Sequence, residues 1–239
     1  MTRTIALLFI IILGVHALSE TTPPSSQRAK KAIKAVKPKL VEALNSHDAT
    51  WGVAVFIRIF KYEKKLELWV AGKDEYQLFR TYNICTYSGE LGPKLKEGDL
   101  QAPEGFYRVT AKLMNPWSSF HLSFNVGYPN EYDQYHKRTG SYIMVHGSCV
   151  STGCFAMTDE KIEEIYAMVD AALRHGQKEV PVHIFPFKIN DALVKLLGEP
   201  KLLHFWENLR EGYDYFEEHH KPPNVKIRKG KYVFEKPSF

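Results

Sequence analysis

Two residues that together can break an acyl bond lie on either side of one short loop: His146 and Cys154. A cysteine attacks as its thiolate. A neighbouring imidazolium lowers the thiol pKa, and the imidazole can take and return the proton. Gly153 lets the backbone approach a substrate closely, and its N–H together with that of Cys154 can cradle an oxyanion. The same residue types have quieter uses. Cysteine is often a small buried hydrophobe or half of a disulfide, and a histidine is often a hydrogen-bonded core residue. His146, Cys149 and Cys154 are also three candidate metal ligands, with no clear fourth nearby. The spacing by itself leaves these readings open.

The elements that must hold this loop are legible on both sides of it. Tyr142-Ile-Met-Val145 is an apolar run that feeds His146 as a strand would. Thr158 stands where a helix starts, with Asp159 and Glu160 in its first turn. Ile162, Ile165, Tyr166, Val169 and Leu173 make the buried stripe of that helix, and Gly176 ends it. Upstream, the period is two from Trp51. Val53, Val55, Ile57 and Ile59 share one face, and Leu66, Leu68 and Val70 answer from a second strand after a turn at residues 62–65. Strands are also expected over Tyr76–Cys85, Gly105–Thr110 and His121–Val126. A strand at Val180–Phe187 is expected at a sheet edge, because it holds Pro181 and Pro186. Between them, Tyr128–His136 is a polar loop whose aromatic and amide groups suit either glycan or peptide recognition or plain solvation.

The segment His146-Gly147, then Ser151-Thr152-Gly153-Cys154-Phe155-Ala156, resembles the active-site loop of the YkuD-domain (L,D-transpeptidase) family. That pattern runs His-Gly, a loop, Ser-His-Gly-Cys, an apolar residue and often Arg. Here the loop is shorter, Thr152 stands where the family usually has a second His, and Ala156 where many members have Arg. These departures, with Tyr82–Gly89, Gly98-Asp99, Pro103–Tyr107 and Gly212–Phe216, are similar to one branch of the family. That branch comprises periplasmic amidases that detach Braun's lipoprotein from peptidoglycan. The similarity runs from about Val55 to the C-terminus.

The resemblance implies an α+β fold: a mainly β catalytic domain, a mixed-sheet sandwich, with helical additions at both ends. It implies Cys154 as nucleophile, His146 as general acid and base, and the Gly147 carbonyl as the group that orients His146. The N–H groups of Gly153 and Cys154 would form the oxyanion hole, and Ser151 and Tyr128 would contact substrate. No metal or cofactor is implied. The implied partners are the peptidoglycan stem peptide and a Braun-type outer-membrane lipoprotein. Cleavage of the meso-diaminopimelate–lysine amide is the first expectation. Transpeptidation is the second, and a wall-binding protein without activity is the third. If Cys154 is the free thiol, parity leaves Cys85 and Cys149 as a disulfide pair, with Cys149 as a buried thiol the alternative.

Residues 1–17 read as a secretory signal peptide, with Arg3 ahead of the apolar run Ile5–Val15, which is too short to span a membrane. Export implies an oxidising compartment, the periplasm by the same resemblance. Residues 18–50 form a basic segment in which Ile33, Val36, Leu40, Val41 and Leu44 recur at helical spacing. Pro38 splits it into two short helices. The expectation is that this segment packs on the catalytic domain, residues 51–187; peripheral membrane contact is the alternative. Residues 188–239 read as a helical extension and basic tail: two short helices split at Gly198 and Pro200, then a hairpin over Val225–Phe234 around Lys229-Gly230. The formal net charge of +5 is too mild to suggest nucleic acid, and no phosphate loop or nucleic-acid motif is present.

Overall fold

The structure, a computed structural model, describes residues 22–236; the expected signal peptide lies outside them. The described chain opens with α1, Gln27–Asn45, capped by the Ser26 hydroxyl, which accepts from Ala29 N–H. Pro38 does not divide this helix. Pro38 and Lys34 are both exposed, so the carbonyl that Pro38 leaves without a donor faces water. Ala29, Ala32, Leu40 and Leu44 are buried against the rest of the chain.

Strands β1 (Val55–Phe60), β2 (Lys65–Ala71) and β3 (Tyr76–Asn83) form an antiparallel meander, followed by β4 (Gly105–Thr110). Next come the short strands β5 (Met114–Asn115) and β6 (Ser123–Asn125), helix α2 (Glu131–Tyr135), β7 (Met144–His146) and β8 (Phe155–Ala156). Helix α3 (Asp159–Arg174) leads into β9 (Glu179–Phe185). The chain closes with α4 (Asp191–Leu197), α5 (Pro200–His219) and a hairpin of β10 (Asn224–Arg228) and β11 (Lys231–Glu235). The main sheet has the order β3-β2-β1-β9-β4, and a second sheet the order β5-β6-β7-β8.

The period-two reading holds for the main core. Val55, Ile57 and Ile59 face it opposite Val70, Leu68 and Leu66 in register, and α1, α3 and the short sheet close over the same cluster. The other face of β1 is buried as well. Phe56 and Phe60 lie under Phe216 and Tyr213 of α5, at ring separations of 4.8 and 6.3 Å. Arg58 is tolerated there because its guanidinium lies 4.9 Å from the Tyr213 ring and 4.8 Å from that of Phe216, and bonds Glu217 at 2.6 Å.

Strand β9 is central, not at an edge. It runs parallel to β1 and antiparallel to β4. Its prolines are accommodated at the ends: Pro181 precedes the first rung shared with β1, Ile57 with Val182, and Pro186 follows the last residue of the strand. At that first end the Gln177 side chain takes the place of a strand, exchanging two hydrogen bonds with the Val55 backbone at 2.9 and 2.8 Å.

Just past β1, Lys61 and Glu104 form an ion pair of 3.0 Å in which both side chains have no solvent exposure. Lys61 Nζ also donates to the carbonyls of Gly92 and Ala102, and Glu104 accepts from Gly92 N–H and Trp206 Nε1. Neutralising one partner leaves the other charge buried and unpaired. Glu104→Gln is therefore expected to cost about 3–5 kcal/mol in urea unfolding. Glu179→Gln, in the solvent-exposed pair with Arg108, should cost under about 1 kcal/mol.

Candidate active site

The two short strands β7 and β8 place the nucleophile candidate beside its base candidate. They pair in parallel, Val145 with Phe155 and His146 with Ala156, so Cys154 falls alongside Met144. Cys154 Sγ accepts from Met144 N–H at 3.3 Å and lies 3.6 Å from the Tyr142 carbonyl. His146 is two residues further along β7, on the same side of the pleat as Met144. Its Nδ1 donates to the Gly147 carbonyl at 2.6 Å, which leaves Nε2 with a lone pair. Among the described residues no hydrogen bond joins Nε2 to Sγ, as is common for catalytic pairs without substrate. The Phe120 ring covers the imidazole at 4.8 Å.

The loop between them is pinned at several points. A Cβ at Gly147 would lie 2.6 Å from Asp159 Oδ1 and 2.9 Å from the Phe120 carbonyl, so only glycine fits. Asp159, at the start of α3, accepts from Ser148 N–H at 2.8 Å. Gly153 has φ of 108°, which a side chain would strain. Among the described residues no loop hydrogen bond takes the N–H of Gly153 or Cys154. A disulfide joins Cys85 to Cys149 across 64 residues, with a Cα separation of 5.5 Å. It removes Cys149 from the triad of candidate metal ligands, and Cys154 is the free thiol. Next to the disulfide, Cys85 N–H donates to the Ala156 carbonyl, and Thr86 and Ala156 form a β-bridge.

The electrostatics differ from a preformed thiolate–imidazolium pair. Burial pushes the Cys154 thiol up, opposed by Met144 N–H and the charge of Lys94. Burial pushes the His146 imidazole down, opposed by the Gly147 carbonyl. Both groups therefore rest neutral near neutral pH. The ion pair expected from sequence is disfavoured because neither charge has enough polar surroundings to offset its lost hydration.

Two other expectations are corrected. Tyr128 is buried, and its hydroxyl donates to the carbonyls of Lys94 and Thr139, so it is a core residue and not a substrate contact. The loop around it forms α2, whose Tyr132 and Asp133 are buried, with Asp133 accepting from Tyr107 and Arg138, while Glu131, Gln134, Tyr135 and His136 stay exposed. Ser151 spends its hydroxyl on the Cys154 carbonyl at 2.6 Å, bracing the loop from within. Sequence reasoning missed Phe120 and Lys94, for which local pattern gives no signal. Asp159 was visible only as an acidic residue in a first helical turn, not as the group that holds Ser148.

Residues 55–184 match the YkuD family, described as the L,D-transpeptidase catalytic domain. The curated proteins named "Putative L,D-transpeptidase YafK" from Escherichia coli strains K12 and O157:H7 are each 41% identical over 242 aligned positions, covering 98% of this chain and 92% of theirs. Among solved structures, the helical cell shape determining protein Pgp2 from Campylobacter jejuni aligns with a TM-score of 0.45 at 17% identity, covering 84% of this chain and 80% of that one.

Two measurements follow from this geometry. Alkylation of Cys154 by iodoacetamide should rise with pH through a midpoint above the ordinary thiol value of about 8.5. His146→Ala should leave that midpoint nearly unmoved, because the imidazole carries no charge at rest; a large upward shift in the variant would restore the ion pair. Separately, Cys85→Ala with Cys149→Ala should lower unfolding stability by about 4 kcal/mol through the chain entropy of the freed loop, read by urea titration.

Proposed function

The chain belongs to the YkuD family of L,D-transpeptidase catalytic domains, and from that membership we propose that it is a periplasmic cysteine amidase acting on peptidoglycan. Its substrate in this reading is the meso-diaminopimelate–lysine amide that ties a Braun-type lipoprotein to the wall. The observation that carries the catalytic part is the pairing of β7 with β8, which sets Cys154 beside the strand of His146 while the Gly147 carbonyl fixes the Nδ1–H tautomer.

The chemistry proceeds from a neutral pair. As Sγ bonds to the amide carbonyl carbon, its proton passes to His146 Nε2. The N–H groups of Gly153 and Cys154 stabilise the oxyanion. Nε2 then delivers the proton to the leaving lysine amine, the C–N bond breaks and a thioester remains. Water, deprotonated by Nε2, attacks the thioester and returns the thiol. The resting neutrality of both groups favours this sequence, since each charge appears only when a partner for it is present. The likeness to YafK over 98% of the chain supports the family, and that relative's name gives L,D-transpeptidase. The amidase outcome draws instead on the departures of the loop from the family pattern, Thr152 in place of a second His among them. It also draws on position 156, where an alanine is fully buried and bridged to Thr86, with no room for the Arg of many family members.

Incubation with lipoprotein-linked sacculi, followed by mass analysis, tests the proposal. Released lipoprotein bearing a free lysine amine is expected. New cross-links would assign transpeptidation, and pelleting without products would assign a binder. Cys154→Ala should abolish release while keeping the wild-type unfolding free energy to within about 1 kcal/mol, since the residue is partly exposed on a loop.

A further inference from the structure

A well-formed concavity lies away from Cys154. A cleft of about 640 Å³ opens on the face of the main sheet that α5 covers elsewhere, just beyond that helix. Tyr76, Phe106, Pro181, Pro222 and Pro223 are among its lining residues. Strand β3 measures the separation from the active site. It starts in the cleft at Tyr76 and ends at Asn83, two residues before the Cys85 disulfide, a span of roughly 23 Å at strand rise.

His183 opens onto this cleft from β9. It is 2% exposed and packed edge-on against Phe56 and Phe106, at 4.6 and 4.7 Å. Among the described residues neither ring nitrogen has a hydrogen bond, and Nδ1 is buried without a partner. Burial and the charges of Arg58 and Arg108 hold the imidazole neutral. It therefore holds one donor and one acceptor without a protein partner, and Nε2 is the one of the two that is not fully buried. The rim carries both signs. Lys73 and Asp74, adjacent in the β2–β3 turn, are exposed and make no ion pair among the described residues. Arg108, bonded to Glu179 and to the Val225 carbonyl, separates the cleft from a second cavity of about 500 Å³ bounded by β4 and β10.

We propose that this cleft is a second, non-catalytic binding site for a short zwitterionic peptide, whose backbone hydrogen-bonds His183 and whose opposite charges meet Lys73 and Asp74. The volume suits a few residues of peptide. Continuation past Arg108 favours an extended chain over a compact metabolite, and the mixed rim favours a ligand with both an amine and a carboxylate. A stem peptide has these properties, so the proposal rests on the reading that the protein works on peptidoglycan. It adds a point at which the wall is held some distance from the bond that is cut.

The test is a titration of isotopically labelled Cys154→Ser protein with the free stem tetrapeptide. Binding is followed in the cleft at the His183 imidazole and at the amides of residues 72–76, which also report in the His183 variant, and at the loop by the amides of residues 146–154. Saturable shifts at His183, resolved from those of the loop, are expected. His183→Phe should weaken cleft binding roughly tenfold, the size of one hydrogen bond left unmade. Because that position is packed, the exposed Lys73→Glu is the second variant. It should weaken binding at the cleft and leave the loop shifts in place. Shifts confined to the loop, shifts at neither place, or cleft binding indifferent to both variants would overturn the proposal. Sacculus cleavage by the wild type is assayed in parallel. Cleavage with a silent His183 removes only the cleft, whereas saturable His183 shifts without cleavage remove only the amidase.

Discussion

The buried ion pair of Lys61 and Glu104 is the constraint on which the arrangement turns. Two charges in a dry interior cost more to desolvate than their attraction alone returns, so the pair persists only where every remaining donor and acceptor is satisfied. Here Nζ has three acceptors and the carboxylate three donors, drawn from the turn just past β1, from the loop at residues 92–104 and from Trp206 of α5. Moving any one of these three parts breaks the set. The same loop carries Gln101, whose carbonyl stands 3.6 Å from where a Cβ of Gly153 would be. The Gln101 side chain adds bonds to the backbone of Glu90 and Gly92. A requirement of electrostatics deep in the fold thus sets the wall of the nucleophile loop.

Burial also explains why the Cys–His pair rests uncharged. A thiolate–imidazolium pair is stable where water or fixed dipoles support both charges, and here burial is the largest influence on each group. In the proposed reaction the nearby dipoles would meet the developing charge: Met144 N–H points at Sγ, and among the described residues no loop hydrogen bond takes the N–H of Gly153 or Cys154. Such donors act most strongly when charge develops close to them in a water-poor site. In the proposed mechanism a substrate that displaces water would strengthen them further and so couple charge separation to its own arrival.

What the sequence made legible was the local and the chemical. The stripe of Val55, Ile57 and Ile59 against Leu66, Leu68 and Val70 follows from pleat alternation alone, and it pairs in that register. The pairing of Cys85 with Cys149 needed only parity, once a free Cys154 was assumed. The α5–hairpin end was legible through Pro200 and the Lys229-Gly230 turn. What was hidden depends on distant partners. Pro181 suggested an edge because proline usually lacks a place inside a sheet, and only the Gln177 side chain and the late start of the β1 rung make room for it. Pro38 suggested a break because its exposure could not be read from the sequence. Tyr128 looked presentable to substrate because its acceptors, the carbonyls of Lys94 and Thr139, lie on segments that the fold alone brings near.

The short sheet shows how a site can be placed firmly on little secondary structure. Strands β7 and β8 have three and two residues, and their ladder holds two register pairs. So few rungs would fray in isolation. Position is recovered by ties at right angles to the ladder. Asp159 draws the loop onto the start of α3, Gly147 N–H reaches the Leu122 carbonyl, and Met157 N–H reaches that of His146. The disulfide fastens the loop to the end of the main sheet, where Cys85 and Thr86 already bond Ala156. Each tie starts from a different element, so displacing Cys154 relative to His146 requires several of them to yield together. That over-determination is what a short loop needs if it is to hold Cys154 and His146 in one geometry, as the proposed chemistry requires.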